Sequence, residues 1–399
     1  MESDIREVIV KLTKDIMPEV AALRHHLHAN PELSFEEHKT AAYISRFLTE
    51  KGIEHITGVG GTGIIAIIEG DGGNGPTLAL RAEMDALPLT EENDVPYRSR
   101  TEGVMHACGH DAHMAMVLGA GVILHQLRER LKGRVILLFQ PGEEKSPGGA
   151  SIVMGSEEFR ANLPDMIVGQ HLLPDLLLGV IGYRGGEYMA SADEIHIKVK
   201  GKGGHAAQPH KTTNQIVIAA KLIVTIKEMI EGEAAESGME TIFAIGMIEG
   251  GKTTNIIPAE VVIAGTLRTF SEKWRERALL LISDECARQS KLYGVTIELQ
   301  TLHGYPVLIN HVDLADRAGR LSRKLLGDER VSLLPRRMGS DDFANYGREI
   351  PALYYRLGTG AGDGPSGQLH TPHFNFDENI METGLLNMVW LAINLTDEG

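Results

Sequence analysis

The sequence predicts an α/β protein into which a smaller α+β domain is inserted. Three observations predict it. Apolar runs such as PTLALRAEMD and RVILLFQP alternate with helical patterns in the first half of the chain. From about Ala192 the pattern becomes strand, helix, strand, strand, helix, strand. Beyond residue 308 the helix and buried-strand character of the first half returns.

Residues 3–29 and 35–51 read as two amphipathic helices separated by a turn at Asn30–Pro31. GIIAIIEG, a Gly-rich turn at 70–76 and PTLALRAEMD follow as strand, turn, strand. A helix is expected from about Ala112 to Arg130, then RVILLFQP and DMIVGQH as buried strands. Near-continuous apolar strands of this kind belong to a sheet covered on both faces. ADEIHIKVKG alternates like a half-buried strand, and TTNQIVIAAKLIVTIKEMI is helical. TIFAIGMIEGG and EVVIAGTLRTF are strands joined by a loop containing Pro258, and Ser271 with Glu272 opens a long helix before VTIELQTLHGY. This βαββαβ order is the ferredoxin-like arrangement, complete in itself. The expected division is therefore 1–185 with 309–399 for the larger domain and 186–308 for the insertion. A helix at 312–326, the strand ALYYRLG and a helix after Glu378 finish the larger domain, and Gly-rich 358–368 reads as an active-site loop.

Composition narrows the function. The chain is 43% hydrophobic and 23% charged, which is ordinary for a globular protein. A formal net charge of −15 argues against a nucleic-acid partner, which calls for clustered Lys and Arg. The N-terminus, MESDIREVIVKLTK, carries charges where a signal peptide needs an apolar stretch. No apolar run reaches the roughly 18 residues of a membrane span; the most apolar helix is interrupted by Lys221 and Lys227. A cytoplasmic protein with no membrane partner is expected. The two cysteines, Cys108 and Cys286, make no disulfide framework. Cys286 lies in a helical pattern and reads as a small buried residue, whereas Cys108 lies among histidines in MHACGHDAHM.

Polar groups with catalytic chemistry fall just after the predicted strands. Glu83 and Asp85 follow PTLALR, Glu143 and Glu144 follow RVILLFQPG, His171 follows DMIVGQ, and His370 follows ALYYRLG. Sites in open α/β sheets form at the carboxyl ends of strands, so these residues are expected to converge with Cys108 and His110. Thiolate, imidazole and carboxylate together are the donors of a transition-metal site. A helix N-terminus beside Cys108 is expected to favour its thiolate. His113 would project along the helix and ranks below His110. His25, His26 and His28 are read as helix surface or local packing. Taken singly, each segment has an ordinary structural reading, since free Cys is usually buried and paired Glu usually solvated.

In combination the segments carry a resemblance. HANPELSFEE, RAEMDALPL, MHACGHDAHM, FQPGEE, GGHAAQPH, GGKTTNIIPAEVVIAGTLRTF, MGSDDFANY and LHTPHFNFDE span almost the whole chain. The sequence resembles the aminoacylase/carboxypeptidase family of two-metal peptidases, in the branch of hippurate hydrolases and auxin-conjugate amidohydrolases. The resemblance implies an α/β metallopeptidase domain with the inserted domain acting as lid and dimerisation unit. It implies two divalent ions, Zn, Mn, Co or Ni, on Cys108, His110, Glu144, His171 and His370. Glu143 would be the general base, Asp85 a support for a ligating histidine, and His205 a stabiliser of the tetrahedral intermediate, often reaching in from a partner subunit. Asn255 and Arg268 would bind the substrate carboxylate, with His210 and Asn214 less defined. The implied reaction is hydrolysis of the amide bond of small N-acyl amino acids or related conjugates by a homodimer or higher homo-oligomer; the rival reading is a carboxypeptidase or dipeptidase. The chain departs from the family pattern at Glu83 (usually Asp), Gln170 (usually hydrophobic), Leu173 (usually aromatic) and Asn214 (commonly Asp). Gln170 and Leu173 are expected to reshape the pocket.

Overall fold

The computed structural model describes residues 2–360 and 367–397. Most of the predicted loop at 358–368, residues 361–366, lies outside the described residues. The chain forms two compact units. One comprises Met1–Gly186, Ile309–Pro335 and Asp342–Gly399; the other comprises Glu187–Leu308 with Arg336–Asp341.

The larger unit is mixed α/β, built on an eight-stranded sheet. Its centre is parallel, with Arg134–Gln140, Thr77–Glu83, Met166–Leu177 and Ala352–Gly360 side by side. Gly63–Glu69 and then Glu54–Val59 extend one edge in antiparallel fashion. Ile181–Tyr183 and Val331–Leu333 extend the other. Every residue from Leu78 to Glu83 is buried, so both faces of that strand are covered. The core joins Leu80 and Leu137 of the sheet to Leu23 and Leu27 of helix Glu2–Ala29, Ile123 of His110–Gln126 and Val389 of Ile380–Asp397. Among the described residues no helix is long and apolar enough to cross a membrane.

Three local differences from the sequence expectation have physical causes. The helix expected at 35–51 runs from His38 to Glu50, because Phe35 takes a left-handed backbone (φ 68°) that no helix can continue. The helix expected at 112–130 runs from His110 to Gln126 and is buried continuously from His110 to Leu124. A helix buried all round has no polar stripe to mark its start. Finally, His171 does not follow a strand but lies inside one. Met166–Leu177 continues past it, paired as far as Leu177 with Ala352–Gly360.

The register then aligns the chemistry. Glu83 pairs with Gln140, and His171 with Arg356. Arg81 pairs with Gly169, so two residues further on Glu83 is level with His171.

The smaller unit holds a four-stranded antiparallel sheet in the order Thr241–Glu249, Glu260–Thr269, Ser191–Lys200, Thr296–His303. In Ser191–Lys200 alternate residues are buried. Ile195, Ile197 and Val199 pack with Leu222 and Ile226 of helix Gln215–Ser237 and with Ala278 and Ile282 of helix Glu272–Tyr293. Asn214 and Ser271 cap these helices, accepting from Val217 N and Trp274 N respectively.

Candidate active site

The convergence occurs at the carboxyl-terminal edge of the parallel strands, all within the larger unit. Cys108 Sγ lies 3.3 Å from His171 Nε2 and 3.3 Å from His370 Nε2. His370 Nε2 is also 3.3 Å from Glu144 Oε1. Three overlapping sets, Cys108–His110–His171, Cys108–Glu144–His370 and His110–Glu143–Glu144, each have their donor atoms within 4.8 Å of one another. They share members and form one cluster.

Each side chain is aimed by its local backbone. Gly109 separates Cys108 from the helix starting at His110, and its left-handed φ of 90° lets both neighbours face the cluster. A Cβ there would lie 2.7 Å from Leu172 Cδ1, so a larger residue would also displace that side chain. His370 has φ 60°, a strained conformation for a non-glycine residue, and its N–H donates to Ala107 O at 2.8 Å. That bond ties the loop to the residue before Cys108.

Hydrogen bonds also select the tautomers. His110 Nδ1 donates to Asp85 O at 2.9 Å, and His171 Nδ1 donates to Leu172 O at 2.6 Å. Each would therefore present an Nε2 lone pair to a bound cation. Asp85 adds a further brace: its Oδ2 accepts from Ser34 Oγ at 2.7 Å and from Glu144 N at 2.9 Å.

These residues fit divalent cations. His110 Nε2 is buried without a protein hydrogen-bond partner, although it lies among other metal-ligating atoms. Two imidazole nitrogens approach one sulfur, which has a single proton to share. Burial, together with Glu144, Glu143 and Glu83, pushes the Cys108 thiol well up. Burial, and after it the carboxylate field, outweighs the helix N-terminus in the metal-free protein, so the expected thiolate requires a cation here. The same field acts on His110, where burial is outweighed by Asp85, Glu83 and Glu144, raising it to about 10. His171 is pushed well down by burial, then by Arg356 and His113, and stays a neutral imidazole.

His113 is near enough to form a further set with Glu83 and His110. Its nitrogens are engaged, however. Nδ1 donates to Glu83 Oε2 at 2.8 Å, and Nε2 accepts from Leu172 N at 3.1 Å. Glu83 is paired with Arg81 and accepts from Tyr354 OH at 3.2 Å. Arg81 in turn reaches Asp342 at 2.7 Å. This fully buried network supports the strand carrying His171, and Glu83 holds His113 rather than facing solvent.

Gln170 does not reshape the pocket. Side chains alternate along a strand, and Gln170 points opposite to His171, accepting from Tyr355 OH at 2.8 Å and touching Met116. Leu173 is buried and shares the face of His171.

In the smaller unit His205 is exposed, and its strand pairs with Ile256–Ile257, next to Asn255. Asn255 O accepts from Ala206 N at 3.0 Å. Arg268 sits on Glu260–Thr269 and donates to Met338 O at 2.9 Å. His210 is exposed in a short turn, and Asn214 serves as a helix cap.

His28, expected at the helix surface or in local packing, is found in packing. It is buried, with Nδ1 2.9 Å from Asp111 Oδ2 and Nε2 3.1 Å from Glu91 Oε1. Arg24 Nε donates to the same Asp111 oxygen at 3.1 Å. Burial is overcome by Asp111 and Glu91, raising His28 to about 9. Spacing holds one weak signal for this brace: Arg24 and His28 are four residues apart and share a helix face.

Residues 79–392 match the family model for peptidase family M20/M25/M40. The chain belongs to that family. It is a metal-dependent hydrolase. It is 36% identical to an N-acetyl-L-cysteine deacetylase of Bacillus subtilis, over 91% of this chain and 85% of the relative. It is 32% identical to thermostable carboxypeptidase 2 of Saccharolobus solfataricus, over 99% of this chain and 100% of the relative. A solved dinuclear metal binding peptidase of the M20 family from Bacillus subtilis superposes with a TM-score of 0.83 at 30% identity, over 97% of this chain and 99% of the other.

Proposed function

We propose that this hydrolase cleaves the amide bond of N-acyl amino acids or related small conjugates, releasing a carboxylic acid and a free amino acid. The observation that carries the reading is the cluster around Cys108, with the Glu143 carboxylate among its donors. Cys108, His110, Glu144, His171 and His370 would hold two divalent ions, Zn, Mn, Co or Ni. Bound there, such ions supply Lewis-acid polarisation and a lowered water pKa. Glu143, only 7% exposed, accepts a proton from the water that attacks the scissile carbonyl carbon. As the C–N bond breaks, it returns that proton to the leaving amine. His205 stabilises the oxyanion, and Asn255 and Arg268 receive the substrate carboxylate, as the resemblance implies. Asp85 holds His110 in its donor tautomer.

The ferredoxin-like unit, placed at 186–308, would act as lid and dimerisation domain of a homo-oligomer. Exposed Ile216, Val217 and Val224 on one helix, with Ile242, Met247 and Ile248 on the sheet's edge strand, support an intermolecular face there. The relatives divide between deacetylase and carboxypeptidase, so a small-peptide substrate is the second reading. A panel of N-acetyl and N-benzoyl amino acids against dipeptides tests both. Faster release from the acyl series supports the first reading, and exclusive cleavage of peptides refutes it.

A further inference from the structure

We infer that Glu37 is a positioning residue that aims Glu143 by fixing the turn at Gly142. The inference rests on Glu143 being the general base and adds how the base is held. Glu37 occupies the N-cap position of helix His38–Glu50 but makes no side-chain cap. Glu32 serves that helix instead, accepting from Thr40 N at 2.8 Å and Thr40 Oγ1 at 2.9 Å. Glu37 is thereby free to turn away, and its carboxylate is fully buried.

Three chain segments meet on that carboxylate. Oε1 accepts from Phe35 N at 2.9 Å and from Gly142 N at 2.8 Å, and Oε2 accepts from Thr62 Oγ1 at 2.6 Å. Burial raises the Glu37 carboxyl above its usual range, and these three donors offset part of its lost hydration. Gly142 itself has φ 60°, and a Cβ there would lie 2.3 Å from the Phe35 ring. Its carbonyl accepts from Gly149 N at 2.9 Å. Two residues on, Glu144 N donates to Asp85 Oδ2 at 2.9 Å. Glu143 thus stands between two anchored amides, one held by Glu37 and one by Asp85. Positional errors of about 1 Å at a reacting group cost on the order of 100-fold in rate, so the anchors matter to turnover without touching substrate.

The test uses the full-length metal-loaded enzyme with Glu37→Ala and Glu37→Gln. Gln keeps an oxygen for the two amides and turns its NH2 toward Thr62, whose hydroxyl can accept. Expected for Glu37→Ala is a kcat lower by about 10- to 100-fold, KM within about threefold, unchanged metal content, and recovery of most of the loss in Glu37→Gln. Hydrogen exchange of the Gly142 amide in metal-free protein is expected to accelerate at least tenfold in Glu37→Ala only. If Glu37→Ala does not fold, Glu37→Asp, one methylene short of the amides, carries the same expectations. Unchanged kcat or unchanged Gly142 protection overturns the inference, as does a kcat loss explained wholly by lost metal. Glu143→Gln runs alongside. Full turnover in that variant would sink the base assignment, and the Gly142 exchange would still judge the clamp.

Discussion

Replacing Asp111 with Asn should remove a pH-dependent part of the protein's stability. Asp111 is fully buried and links Arg24, His28 and the first turn of the helix that begins at His110. The groups facing His28 are Asp111, Glu91, Arg24 and His106, and their balance raises it from 6.5 to about 9. A shift of that size corresponds to about 3 kcal/mol. His28 is raised on folding, so its contribution is fully present below about pH 6.5 and is lost as pH rises through about 9. Breaking one side of a buried charge pair costs about 3–5 kcal/mol by an independent route, which agrees. Urea unfolding of wild type and Asp111→Asn should therefore differ by up to about 3 kcal/mol more near pH 6 than above pH 9, where the lost Arg24 pairing still separates them. Parallel stability profiles across that range would refute the reasoning.

Three further outcomes are expected. His113→Ala leaves Leu172 N and Glu83 without their partner and should weaken metal binding by about 10- to 100-fold, measured by competition with a chromogenic chelator; unchanged affinity would make the Glu83–His113 network purely structural. Removing metal with a chelator should abolish hydrolysis and lower the unfolding temperature, both restored by Zn, Mn, Co or Ni; full activity in metal-free protein would contradict the site. Cys286, whose buried thiol is raised to about 12 by burial and Glu285, should resist thiol reagents at neutral pH in a Cys108→Ser background until denaturant is added; rapid modification would show that its helix opens.

Elements were legible in the sequence where physics writes locally. Arg134–Gln140 and Thr77–Glu83 are apolar runs because both their faces are buried. Glu54–Val59, with only Val59 buried, carries no such pattern and exists by antiparallel pairing to Gly63–Glu69. Ile181–Tyr183 and Val331–Leu333 are three residues each, too short for any periodicity. The residues around Cys108 stood out because their segments follow the predicted strands in the order of one family's motifs; singly, each segment reads as structural. Their supports did not stand out. Glu37 falls in the helix expected at 35–51, yet its carboxylate is spent on an amide 105 positions away. Arg24 reaches Asp111 across 87 positions. Apart from the four-residue step between Arg24 and His28, such long-range bonds leave no mark in spacing. Gln170 erred in the opposite direction, since its neighbourhood implied the pocket and strand alternation turned it away.

In the proposed reaction Glu143 moves protons within a metal cluster it does not hold. The most direct measurement is metal content together with turnover of N-acyl amino acids in Glu143→Gln. Expected is metal equal to wild type, with turnover lower by about 10²–10⁴-fold. Metal lost along with activity would make Glu143 a ligand, and turnover retained with metal in place would remove it from the chemistry.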